Sequence, residues 1–248
     1  MQNKINIIQP EILVEQIFSY SIQSHEALKL AKREIKSGYN FALIPNWSHI
    51  YTGILQTTWY LMLDSSKKWL VLFSNQSDNP DKIQIFKQKI WPILWFYFDW
   101  LDFSSKDKVY SICEDIPYEL EFQLNIARII NNTESYIHFG IWENVSQENI
   151  SKLMKTIMKY VDSCNYVFLS NLSEDQEIKQ CKSMDAKIIE AISLWQNDKP
   201  NIADNNILNS FINISKIRKI DPEIVMYANS WDLDWNKKKT NWYVCMVY

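Results

Sequence analysis

The sequence predicts an α/β fold, a single domain over 1–248 with a mainly parallel central sheet flanked by helices. Short apolar runs recur along the chain, separated by helical patterns of roughly 10–15 residues, which is the spacing of βαβ units. The chain has 248 residues and is 47% apolar, enough to bury a large core. No Pro-, Ser- or Gly-rich linker, composition break or repeat divides it.

Taken in order, 11–36 is mostly helical by pattern, with Ile12, Val14, Ile17, Ala27, Leu28, Leu30, Ala31 and Ile35 between charged residues, and Gly38 stands where a helix stop belongs. This makes 1–39 a helical segment leading into the domain. FALI at 41–44 is a short buried strand, and 51–63, nearly free of charge, is a buried helix. WLVLF at 69–73 is a second strand, ending in the polar loop SNQSDNPDK. The stretch IWPILWFYFDWLDF at 90–103 fits either a helix entered after Pro92 or an irregular aromatic cover. A helix follows over 118–130 and a strand over 136–141. Ile150, Leu153, Met154, Ile157, Met158 and Val161 follow the i, i+3, i+4 rule, with Ser146 and Asn149 available as caps. YVFL at 166–169 is a further strand, again with a polar tail, SNLSED. Amphipathic helices over 184–195 and 207–217 precede late strands at 224–228 and 242–248, joined by the polar connection NSWDLDWNKKKTN.

Composition excludes several functions. Net charge is −3 with Lys and Arg scattered among acids, so there is no footprint for a phosphate backbone and no nucleic-acid partner is expected. The first residues do not read as a signal peptide, and 90–103 is too short to span a bilayer and carries Pro92, Asp99 and Asp102. A soluble cytoplasmic protein without a membrane partner is the expectation. Cysteines 113, 164, 181 and 245 form no C-x-x-C pair and read as inert buried thiols. With three glycines, at 38, 53 and 140, neither standard phosphate-cradling loop can be built.

Several short stretches then stand in a recognisable order. IPNWSHIYTG holds Pro45, Tyr51 and Gly53; WLVLFSNQSDN follows; PYELEFQLN holds Leu120, Glu121, Gln123 and Leu124; FLSNLSED holds Ser170, Leu172 and Ser173; MDAKIIEAI spans 184–192. Over roughly 40–248 this order resembles the Memo-like family (AmmeMemoRadiSam system protein B), whose fold is that of the class III extradiol ring-cleaving dioxygenases. The resemblance implies a site at the strand ends, and its departures matter more than its matches. The family's metal-type histidines fall on Asn46, Ser77, Tyr118 and Glu174, and its late cysteine falls near Ala203–Asn205, where there is none. Amide and hydroxyl oxygens hold a transition metal far more weakly than imidazole and thiolate. No metal or cofactor is therefore expected.

Bland and sharp readings stand side by side for the remaining residues. His49 is a hydrogen-bonding residue or a displaced base; His25 and His138 are structural. Glu119 and Glu121 are an acid/base pair in the cleft or one exposed and one inward carboxylate. Asp232 and Asp234 are oxygen ligands for a hard cation or part of a solvated loop with Lys237, Lys238 and Lys239. Ser48 and Ser170 lie in no nucleophile elbow. The eleven tryptophans, Trp91, Trp95 and Trp100 among them, pack the core or cover the old cleft together with Trp47, or form an interface. No residue is assigned as catalytic; the cleft candidates are Asn46, His49, Ser77, Tyr118, Glu121 and Glu174. The expected function is a non-catalytic binding or scaffold protein of Memo-like descent without its metal centre. By resemblance its partner is a small AMMECR1-type protein or a radical SAM protein. The alternatives are an enzyme with a site rebuilt from Asn46, His49, Glu121 and Glu174, and small-molecule binding without turnover. Oligomeric state is not legible.

Overall fold

The computed structural model describes residues 19, 38–44, 60, 62–75, 81–86, 109–113, 118–160, 162–170, 173–176, 178–194, 205–219, 222–229 and 240–247. Nine strands form one mixed sheet: β1 (Phe41–Ile44), β2 (Trp69–Ser74), β3 (Ile83–Phe86), β4 (Tyr110–Cys113), β5 (Ser135–Gly140), β6 (Cys164–Leu169), β7 (Ser173–Gln176), β8 (Glu223–Asn229) and β9 (Thr240–Val247). Their order is β4-β3-β5-β2-β6-β1-β9-β7, with β8 on β9. The four central strands, β5, β2, β6 and β1, are mutually parallel, as expected for a mainly parallel centre. Antiparallel pairings lie on both flanks, through β3 on β5 and through β9 on β1, β7 and β8.

The central strands are apolar because both faces are covered. One face carries Phe41, Phe73, Phe139, Tyr166 and Phe168; Phe41 stacks on Tyr166, and Phe73 stacks on both Phe139 and Phe168, with ring centroids 4.6–5.6 Å apart. Helices α2 (Gln147–Ile157) and α4 (Asn205–Arg218) cover it: Phe211 meets Phe168 edge-on, and the Tyr166 hydroxyl donates to Ile157 O. On the other face the last residue of α1 (Tyr118–Asn131) packs over β6. Asn131 Nδ2 donates to Tyr60 O and Leu63 O, while Asn165 Nδ2 donates to Asn131 Oδ1 and Asp64 O. This amide chain ties α1 and the turn before β2 to the start of β6. Helix α3 (Ile178–Ser193) packs on β7 and β9.

Local chemistry accounts for the element ends. Ser146, extended at φ −64 and ψ 144, accepts from Asn149 N and caps α2, whose Ile150, Leu153, Met154 and Ile157 are buried. A 3-10 turn over Met158–Tyr160 finishes it, taking Met158 out of the α-helix proper. Helix α1 stops at Asn132 in the left-handed region (φ 59), with Thr133 N bonded to Ala127 O, a closure that Asn tolerates well.

Three strands depart from expectation. β3 and β4 fall in stretches to which no element was assigned, and β7 begins within SNLSED, read as the polar tail of a strand. Burial explains the first two, since Ile83, Ile85, Phe86 and Tyr110 are core residues in strands too short to show a period. β7 has no apolar residue, and its pairing with β9 is what makes it a strand. The segments 11–36, 51–59 and 90–103 lie outside the described residues apart from Ser19, while Tyr60 and Met62 are helical as expected.

Candidate functional site at the strand ends

β1, β2, β5 and β6 finish together, and the ladder continues one residue beyond them. Ser170 N donates to Ile44 O at 2.9 Å and Ile141 N to Ser74 O at 2.8 Å. The chain thus leaves β1 toward Asn46, β2 toward Ser77 and β6 toward Glu174 from one end of the sheet. β7 completes this end. Trp242 pairs with Ser173 on one side and Asn229 on the other, while Met246 pairs with Leu43 and Ile224. β1 and β7 therefore share one edge of β9, and β7 lies past the carboxyl end of β1, with Ser173 about 13 Å along β9 from the level of Leu43.

Of the six cleft candidates, Glu174 lies on β7, a strand rather than a loop, and Tyr118 and Glu121 lie in the first turn of α1. Asn46, His49 and Ser77 lie outside the described residues, as do His25, Trp47, Ser48, Asp232, Asp234 and the aromatic stretch 90–103. Ser170 is fully buried, which removes it as an accessible nucleophile.

The structure adds residues at this end that the sequence did not single out. Ser74, the last residue of β2, was read as the start of a loop; its hydroxyl lies 2.7 Å from His138 Nε2. The Phe86 ring stacks on the imidazole, centroids 4.5 Å apart and 15° from parallel. Both Ser74 and His138 are fully buried, and burial drives the imidazole down to about 3, so it is neutral at physiological pH. His138 Nδ1 has no hydrogen-bond partner among the described residues. The structural reading of His138 gains content: an uncharged imidazole fixed by a hydroxyl and an aromatic face.

The loop after β5 is pinned by Asn206 in the first turn of α4. Asn206 Nδ2 donates to Trp142 O at 2.7 Å and Glu143 O at 3.1 Å, with Val145 O at 3.3 Å, and Asn206 Oδ1 accepts from Gln147 Nε2. One side chain thus holds the loop between β5 and α2. Cys164, at the opposite end of β6, is buried and its thiol is pushed up to about 12, chiefly by desolvation, so it is inert as expected.

Among the described residues no group of three or more His, Cys, Asp or Glu side chains could hold a metal ion, and no helix is long and apolar enough to cross a membrane. Asn46, Ser77, Tyr118 and Glu174 offer an amide, a hydroxyl, a phenol and a carboxylate. That set does not fit a site built on imidazole and thiolate. No protein-family model matches the chain, and no curated protein matches it.

Proposed function

We propose that this chain is a diverged Memo-like protein that has lost the family's metal centre and works by binding, as a ligand-holding or scaffold component, rather than by catalysis. The donor set supports this reading: Asn46, Ser77, Tyr118 and Glu174, which by the resemblance fall where the family has metal-type histidines, include no imidazole or thiolate. The α/β sheet supports it, because the segments leading to Asn46, Ser77 and Glu174 leave the same end of β1, β2 and β6. The protein partner, by the same resemblance, is a small AMMECR1-type protein or a radical SAM protein, met in the cytoplasm. Elemental analysis of the full chain purified without chelator tests the reading: iron, copper and zinc are expected well below one equivalent. One equivalent of tightly held metal overturns it.

A second reading, an enzyme rebuilt around Asn46, His49, Glu121 and Glu174, draws on the bond from Ser170 N to Ile44 O, which joins the strand ends leading to three of those residues. It requires the same four side chains in sequences of close relatives. Free variation at 46, 49, 121 and 174 overturns it.

A further inference from the structure

The late strands reach well past the ends of the parallel ones. β1, β2 and β6 finish at one level, because Ile44 pairs with Leu169 and Leu169 with Ser74. β9 runs antiparallel to β1 and pairs with it at two positions, Ala42 with Val247 and Leu43 with Met246. Continuing that register sets Cys245 level with Ile44. Residues 240–244 therefore project past the carboxyl ends by about 17 Å, at roughly 3.4 Å per residue. β8 accompanies them through 226–229, and β7 joins at Ser173 and Gln176, in line with the end of β1. Helix α3 packs on β7 and β9 and so belongs to the same overhang.

The overhang meets the rest of the sheet at a break in its own ladder. On β8, Glu223 pairs with Val247 and Ile224 with Met246, the two residues of β9 that also pair with β1. The next pair is Met226 with Cys245, which leaves Val225 as an extra residue. Such a bulge bends its strand and raises the local twist. Residues ahead of it are held to the core: Tyr39, two residues before β1, donates its hydroxyl to Glu223 Oε2 at 2.9 Å, and Ile224 packs against the core. An anchored piece, a bulge and a projecting piece thus follow one another within 223–226. The ladders differ in the same sense, since β2 pairs with β6 at six positions and β9 with β1 at two. A junction that small opens at low cost relative to the central sheet.

We propose that α3, β7 and the projecting parts of β8 and β9 form a flap, hinged at the Val225 bulge and at Cys245 opposite it. The flap swings over the carboxyl ends of β1, β2 and β6 and carries Glu174, on β7, toward or away from them. A hinge is a short segment that absorbs the turn between two bodies that keep their own packing. Val225 lies where that turn belongs, between a pair tied to the core and the first pair beyond the last partner of β1. A swing of about 20°, the usual twist between neighbouring strands, moves the far end of the overhang through roughly 6 Å. The flap goes beyond the binding reading above and does not rest on it, because its geometry is the same whatever the strand ends hold.

Pulsed electron double resonance on the full chain tests the flap, with spin labels on non-natural side chains at the exposed Lys155 of α2 and Lys187 of α3. The parent chain gives two distances, that of this structure and a second displaced by several ångströms. Deleting Val225 makes the β8 ladder regular and removes the second distance. Val225→Gly loosens the same residue and raises the share of the second distance about threefold, in keeping with the extra freedom of a glycine. Where the deletion does not fold, the glycine variant decides alone. A single narrow distance in the parent, or an unchanged share of the second distance in the folded variants, overturns the flap. Metal content separates the two ideas: one equivalent of metal leaves the flap standing, and a single distance leaves the metal-free reading standing.

Discussion

At the scale of single residues, His138 carries the sharpest consequence. Its imidazole is far harder to protonate in the folded chain, at about 3, than in an unfolded chain near 6.5, because burial disfavours the charged ring. The unfolded state then binds the extra proton first. This residue's contribution is intact above about pH 6.5 and is lost as pH falls from there toward 3, by up to roughly 1.4 kcal/mol per pH unit. Urea midpoints measured at several pH values should fall less steeply with acid in His138→Gln than in the parent chain; identical profiles would contradict a buried neutral imidazole. The sequence showed that His138 lies within a strand, but not its partners. Ser74 and Phe86 are far from it along the chain, and only the pairings of β5 with β2 and β3 bring the three side chains to one face. The same limit applied to the strand-end residues. Motif order named Asn46, Ser77 and Glu174, whereas Val225 belongs to no motif and gains meaning only from the pairings of β8 with β9 on either side of it.

At the scale of elements, the fold was readable where burial imposes a period or an unbroken apolar run. WLVLF and YVFL announced β2 and β6 because strands covered on both faces are apolar throughout, and the stripe from Ile150 to Ile157 announced α2. SEDQ could not announce β7, since nothing in its composition favours a strand and the hydrogen bonds that make it one come from β9. Elements joined by a single polar side chain are the ones most exposed to substitution. Asn206→Ala removes the donor shared by the carbonyls of the loop after β5 and should cost about 2 kcal/mol, as buried acceptors lose their partner. Asn131→Ala, which strands Tyr60 O and Leu63 O and takes one of two acceptors from Asn165 Nδ2, should cost about as much or more, roughly 2–4 kcal/mol. Chemical denaturation of each variant checks both values, and losses under about 0.5 kcal/mol would show that water replaces these bonds freely.

At the scale of the whole molecule, the parallel centre was expected and the antiparallel flanks were not, because nothing local in a sequence tells which edge of a sheet a late strand joins. Protection from amide exchange should follow that architecture. β2 and β6, paired on both sides and almost wholly buried, should exchange slowest, while β4 at the sheet margin and the four-residue β7, with its shifted register, should exchange earlier. A mass-resolved exchange experiment that found β4 and β7 as protected as β6 would contradict the strand order. The position of β9 has a consequence of another kind. It is last in sequence among the described strands, yet it sits inside the sheet between β1 and β8 and also holds β7. During synthesis β1 emerges early and must wait, one edge unpaired, until residues 240–247 leave the ribosome. Through that interval an apolar strand edge is open to the wrong partner, which makes the nascent chain, rather than the finished protein, the form most in need of a chaperone.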